Sequence, residues 1–178
     1  MSEPFSRVLR VEAIPRDGRT VDIEASPSER EALAAIYQLP SIEELSAGFT
    51  LRRSAGGEVR VTGAVHGRLT QLCVVSLEPF PADVDEEVDV QFAPLPDGAA
   101  APRLAEEPQT FSIADEDEPD PIIDGKIDLG ALAAEFFALG LDSHPRKPGA
   151  VLEWSGDEEE GEGSPFSALR GRDGGTRD

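Results

Sequence analysis

The chain has 178 residues, of which 39% are hydrophobic, and a formal net charge of −20. That length suffices for one domain with its own core, while the charge repels nucleic acid, whose binders gain affinity by setting cations against phosphate and releasing counterions. A single cysteine, Cys73, excludes an internal disulfide and fits a reducing cytosol.

The opening "MSEPFSRVLR" has no apolar run of signal-peptide length, and no later stretch approaches a membrane span, so a soluble cytosolic chain is expected. "FSRVLRVEAI" (5–14) alternates apolar and polar residues and predicts a first strand. "PRDG" turns the chain, and "TVDIEA" predicts a second strand. In "SPSEREALAAIYQL", Ser26 caps a helix, Pro27 takes its first position and Glu29 closes a capping box. Leu33, Ile36 and Tyr37 then share one face, and the helix is expected to end at Pro40.

From Ser41 to Phe92 the pattern is β. "IEELSAGFTLRR" is a strand, "AGG" a turn, and "EVRVTGAVHGRLTQLCVVSLEPF" a long alternating segment. Val59, Val61, Val65 and Leu69 take one face, and Arg60, Thr62, His66 and Arg68 the other. Gly63 and Gly67 fall on the apolar face, where they permit a bend or bulge. "PADVDEEVDVQFAPL" is a further strand whose apolar members are Val84, Val88, Val90 and Phe92.

Charge then dominates. Residues 81–128 hold 15 acids and 2 bases, a net −13. "PDGAAAPRLAEEPQ" reads as a small-residue loop, and the "DEDEPD" run (115–120) as a solvated linker without calcium-loop spacing. In "DGKIDLGALAAEFFALGLDSHPRKPGA", Asp128 caps a second helix. Leu129, Leu132, Phe136 and Leu139 mark its apolar face, Phe137 widens it, and Gly140 stops it. The exit is stiffened by Pro145 and Pro148 and displays Arg146 and Lys147. "SGDEEEGEGS" has the composition of a disordered tail, followed by the short motif "PFSALRGR".

Strands, helix, strands and helix without crossover helices predict an α+β fold: an antiparallel, strongly bent sheet or partly closed barrel with two or more packed helices. The expected organisation is one domain over residues 1–154, with an acidic loop at about 95–122, and a tail over 155–178.

The search for chemistry comes up short. Cys73 needs a base to act as a nucleophile, and alternation puts His66 on the opposite face. Two histidines and one cysteine without paired spacing do not make a zinc site, so Cys73 reads as a small buried thiol. Arg52, Arg53, Arg60, His66 and Arg68 form the basic concentration of the first half, suited to phosphate or an acidic protein. No aromatic residues interleave there to stack bases, so an ordinary solvated face paired with Glu58 is the favoured reading. Phosphate-loop, dinucleotide and nucleophile-elbow motifs are missing. Hydrolysis would need a nucleophile–base–orienter set, and none can be assembled.

Two stretches carry a resemblance. "DPIIDGKIDLGALAAEFFALGLDSHPRKPGA" resembles the C-terminal signature of the YceD family, the large ribosomal RNA subunit accumulation proteins, at Asp128, Leu129, Glu135 and Pro145. "VTGAVHGRLTQLCVVSLEPF" resembles the family's central motif at Val61, Gly63, Cys73, Leu77, Glu78 and Pro79, and "SPFSALRGR" a short terminal motif. The resemblance spans roughly residues 5 to 170, apart from the acid-rich segments. It implies a non-enzymatic bacterial factor for synthesis, processing or stability of 23S rRNA. The expected partner is a ribosomal protein or rRNA-processing factor, with the 23S rRNA precursor reached directly or through it. Many members carry a second cysteine three residues after the first, and some add cysteines after the final helix. Ser76 and "HPRKPGA" stand at those places, so no metal and no cofactor are expected here. Two rival readings stay open: a direct RNA-binding module using Arg52, Arg53, Arg60 and Arg68, and a general acidic adaptor.

Overall fold

The computed structural model describes residues 4–94 and 119–151. The expected loop at 95–122 falls outside them up to residue 118, as do residues 152–154 and the whole 155–178 tail with its terminal motif.

The chain begins with a short strand, β1 (Val8–Arg10), and a 3-10 turn at Val11–Ala13. The single strand expected over 5–14 is therefore broken. Val11 turns inward and donates its N–H to Gly125 O at 3.0 Å, which bends the backbone out of the strand. Next come β2 (Arg19–Glu24), α1 (Pro27–Tyr37), β3 (Ser41–Arg53), β4 (Val59–Leu72) and β5 (Pro79–Pro94). After the acidic segment follow β6 (Asp120–Ile122), β7 (Lys126–Asp128) and α2 (Leu129–Leu139).

The α1 start follows its local code. The Ser26 side chain accepts from Glu29 N, and the Glu29 carboxylate accepts from Ser26 N, a reciprocal capping box. The helix ends at Tyr37, earlier than Pro40, because Gln38 turns left-handed (φ 56°) and Leu39 N reaches back to Ala34 O. The residue before a proline is in any case excluded from helical backbone by the ring. Leu33 is buried as expected, whereas Ile36 is 58% exposed.

The strands form a five-stranded sheet in the order β2-β3-β4-β5-β6, plus a two-stranded sheet of β1 and β7. The β2–β5 pairs are antiparallel, but β6 runs parallel to β5. The sheet is therefore mixed, correcting the antiparallel expectation. The return through the acidic segment makes this possible, since parallel neighbours need a long connection. The order is open, with β2 and β6 at its ends.

Val59, Val61, Val65 and Leu69 all lie at 0% exposure on the core face of β4, as the alternation predicts. They join Phe5, Leu45, Phe49, Leu51, Leu129 and Phe137 in one hydrophobic cluster. Each such side chain contributes roughly 1.5–3 kcal/mol by leaving water. Gly63 and Gly67 mark no bulge; the register shift lies instead in β3, between Ile42 and Glu44. Both glycines permit close approach. A Cβ at Gly63 would stand 1.9 Å from Gly48 O, and one at Gly67 would stand 2.4 Å from the Phe137 ring.

Phe137 is thus the centre of the α2 contact, and Leu139, expected on the buried face, is 70% exposed. The buried set is Leu129, Gly130, Leu132, Ala133, Ala134 and Phe137. The helix caps with Gly140 in ordinary right-handed backbone (φ −77°). Space explains that glycine, since a Cβ there would meet Val84 Cγ1 at 2.6 Å.

Candidate functional site

Most residues singled out by sequence fall into three groups: a joint between β4–β5 and the exit of α2, a tie at the start of α2, and a charged sheet face.

The joint forms where β4 ends. Cys73 is fully buried, and its N–H donates to Glu78 O at 3.0 Å, closing a short loop into β5. Val75 N and Ser76 N both donate to Cys73 Sγ at 3.4 Å. The Ser76 hydroxyl is the leading cause that draws the thiol down to about 7, with Ser76, Lys147 and Val75 backbone groups adding to it against burial. Leu77, just after the turn and before Glu78, is in left-handed backbone (φ 58°) and is 77% exposed.

The exit of α2 docks onto that loop. Val74 N donates to Pro145 O at 2.9 Å, and Gln71 Nε2 to Asp142 O at 3.3 Å. Lys147 Nζ lies 2.8 Å from Glu78 Oε2, which lowers the Glu78 pKa and raises that of Lys147. Cys73, Glu78, Pro79, Pro145 and Lys147, far apart in sequence, therefore belong to one structure. Arg146 is exposed, and Glu135 on α2 is exposed too.

Asp128 makes a second tie at the start of α2. Its carboxylate accepts from Gly130 N (3.0 Å), Ala131 N (3.2 Å), Arg7 N (2.7 Å) and Ser6 Oγ (2.5 Å). Burial, the largest single influence, pushes its pKa up. Hydrogen bonds from Ser6, Arg7, Ala131 and Gly130 outweigh it together and hold the group below the ordinary aspartate value. Leu129 N donates to Arg7 O at 3.1 Å, so the N-terminal segment is laced to the helix start.

Arg7 was not anticipated by sequence. Its guanidinium spans Glu29 with two bonds, at 2.7 and 3.0 Å, and lies 4.8 Å over the Phe5 ring. The Arg7 hydrogen bond is the main reason Glu29 falls to about 2. The capping-box pattern gave Glu29 a role in α1, but nothing local announces its second partner.

The charged face belongs to β4 and its neighbour β5. Arg60 makes two bonds to Asp89, at 2.8 and 2.6 Å. His66 Nδ1 lies 2.5 Å from Asp85 Oδ1, and Arg68 Nε lies 3.5 Å from Asp83 Oδ1. Glu58 turns instead to Ser54. Arg60, His66 and Arg68 of β4 thus each face an acid of β5 across the strand pair. Arg52 and Arg53 are exposed and make no ion pair with another described residue; Arg52 sits directly opposite Arg60.

Among the described residues, no three His, Cys, Asp or Glu side chains converge in a way that would hold a metal ion, and no helix is long and apolar enough to cross a membrane. Ser76 stands beside the Cys73 sulfur, where the resemblance puts a second thiol in other members.

Here the class is set by a small α+β scaffold whose distinctive residues act as ties between segments. The model of the family described as large ribosomal RNA subunit accumulation protein YceD matches residues 61–171, well over half of the chain, and the protein belongs to that family. No curated protein and no solved structure matches it. The matched range includes β4 from Val61 onward, the Cys73 loop, β5 and α2 with its exit. The family name ties the chain to accumulation of large-subunit ribosomal RNA.

Proposed function

We propose that this protein is a non-enzymatic bacterial factor supporting synthesis, processing or stability of 23S rRNA during assembly of the large ribosomal subunit. It works in the cytoplasm, through a ribosomal protein or an rRNA-processing factor. The observation that carries this is the family match, which runs through both halves of the Val74–Pro145 joint. Charge supports a protein intermediary: the net −20 disfavours broad contact with phosphate, and Arg60 and Arg68 are already engaged by carboxylates.

Deleting the gene tests the reading. Precursor 23S rRNA is expected to accumulate or mature 23S rRNA to fall, with crosslinking placing the protein on pre-large-subunit particles. Normal precursor and mature levels after deletion would overturn it.

Arg52 and Arg53 favour one second reading, direct contact with RNA, because both are exposed without an ion pair among the described residues. Purification at moderate salt with and without nuclease separates the two. A partner retained after nuclease treatment supports the protein route, and one lost supports the RNA route.

A further inference from the structure

β5 is a long strand with little on its outer side among the described residues. Among the described residues, β6 pairs with it only at Phe92, Ala93 and Pro94. From Pro79 to Gln91 the described residues give it a neighbour on the β4 side alone.

Which backbone groups face outward follows from the register. Cys73 N donates to Glu78 O just before the strand, and the pairing then runs without a shift from Leu72↔Pro79 to Val59↔Phe92. In an antiparallel pair, N–H and C=O turn toward the partner at every second residue. The even-numbered residues of β5 therefore bond to β4. Asp83, Asp85, Glu87 and Asp89 turn their N–H and C=O away from it. Pro79 and Pro81 share that parity, so the missing N–H falls on the outer side, as an edge strand requires. No described group bonds to the outward backbone of the four acids.

An open edge of this length is a template for a further strand, and its charge selects the occupant. Residues 79–91 carry five acids and no base; Asp83 and Asp89 already face Arg68 and Arg60 of β4, but Glu86 and Glu87 have no basic partner among the described residues, so the edge stays net acidic. A second copy pairing here would set acid against acid, and a nucleic acid would be repelled. At the other end of the sheet, β2 is only six residues long and mixes Arg19 with Asp22 and Glu24. We propose that the outer edge of β5 receives an extended, lysine- or arginine-rich segment of a partner protein, which adds to the sheet as a strand beside Asp83–Asp89. The proposal deepens the reading above and rests on it for the partner being a protein of the assembling subunit.

The probe is a short alternating Lys–Val peptide, added to the full chain and followed by amide hydrogen exchange. In the free chain, the amides of Asp83, Asp85, Glu87 and Asp89 should exchange fast, and those of Val84, Glu86 and Val88 slowly. The peptide should slow the four fast amides, with binding that weakens as salt rises, and a matched Glu–Val peptide should not. Glu87→Lys should weaken binding roughly three- to tenfold by reversing one charge. Glu87→Pro, which removes one outward donor and leaves the β4 ladder intact, should weaken it roughly two- to tenfold. Slow exchange at the four positions in the free chain, equal binding of the Glu–Val peptide, or protection mapping elsewhere would overturn the proposal. If deletion disturbs 23S rRNA but a Glu87→Lys chain at normal abundance restores it fully, the edge assignment fails and the assembly role stands. If deletion leaves 23S rRNA unchanged, the assembly role itself fails.

Discussion

The ring of Phe137 occupies the space that a side chain at position 67 would fill: a Cβ on Gly67 would stand 2.4 Å from Cε2 and 2.7 Å from Cδ2 of that ring. Gly67 is therefore the seat of α2 on β4. Gly67→Ala should destabilise the fold by about 1–3 kcal/mol through overpacking, and Phe137→Ala by about 3–5 kcal/mol through the cavity left. Denaturant unfolding checks both. Because the two sites touch, Gly67→Ala combined with Phe137→Leu should cost less than the sum of the single changes.

Asp128 and Glu29 predict the acid limb of stability. Both have folded-state pKa values below their ordinary range, Glu29 at about 2. A group depressed in this way stabilises the fold fully above its unfolded pKa and loses that contribution as pH falls through the folded value. For Glu29 the window runs from the ordinary glutamate value of 4.5 down to about 2. Thermal midpoints measured across that window should decline, and Glu29→Gln should flatten the decline. A profile unchanged by that substitution would remove the Arg7–Glu29 tie as a stability element.

Removing the Asp128 cap is a separate test. Asp128→Ala should cost about 1–2 kcal/mol from the helix start alone, and more because Ser6 and Arg7 lose their acceptor. Amide exchange should then quicken at Arg7, Gly130 and Ala131, which all donate to that carboxylate.

Cys73 should be acidic yet slow to react. Its thiol is drawn down to about 7, but the residue is fully buried. Alkylation at neutral pH should be slow in the native chain and fast after unfolding, because access limits the thiolate. Ser76→Ala should raise the thiol pKa, since the Ser76 hydroxyl is its leading cause. Fast native alkylation would show that the joint with Pro145 opens readily.

Two glycines should respond for opposite reasons. Gly125 lies in left-handed backbone (φ 67°) with open space around it, so Gly125→Ala should cost about 1–2 kcal/mol in strain and Gly125→Asn less. Gly140 has ordinary backbone but no room, so Gly140→Ala should be relieved in part by Val84→Ala. Unfolding free energies of these four variants check the distinction.

What could be read from sequence was what is written locally. Ser26, Pro27 and Glu29 encode the start of α1 within a single turn, and the valines of β4 encode its buried face by alternation. The turn at Asp124–Gly125 was equally local and was passed over: both residues have positive φ, and they join Ile123 to Lys126 as a two-residue hairpin. In the apolar stripe of α2, Leu129 and Leu132 are buried as expected, but Phe137 rather than Leu139 completes it, because periodicity defines a band of residues and the gap at Gly67 decides which member enters it. The joint between Val74 and Pro145 lies beyond sequence pattern altogether. It is a backbone bond between segments that share no periodicity, and the YceD resemblance named Cys73, Glu78 and Pro145 around it without bringing them together. Pairing of the β4 cations with β5 acids was hidden for a related reason, since it depends on register.

The tie between Arg7 and Asp128 also sets an order of events in synthesis. The two residues are separated by 121 positions. At ordinary translation speeds, an interval of roughly six to twenty-four seconds separates their emergence. For that time β1 has no mate, and Phe5 and Val11 have no roof over them. The growing chain must hold its beginning open until β7 and α2 arrive, so a pause or truncation before residue 128 should leave a product that holdase chaperones recognise by its uncovered apolar face.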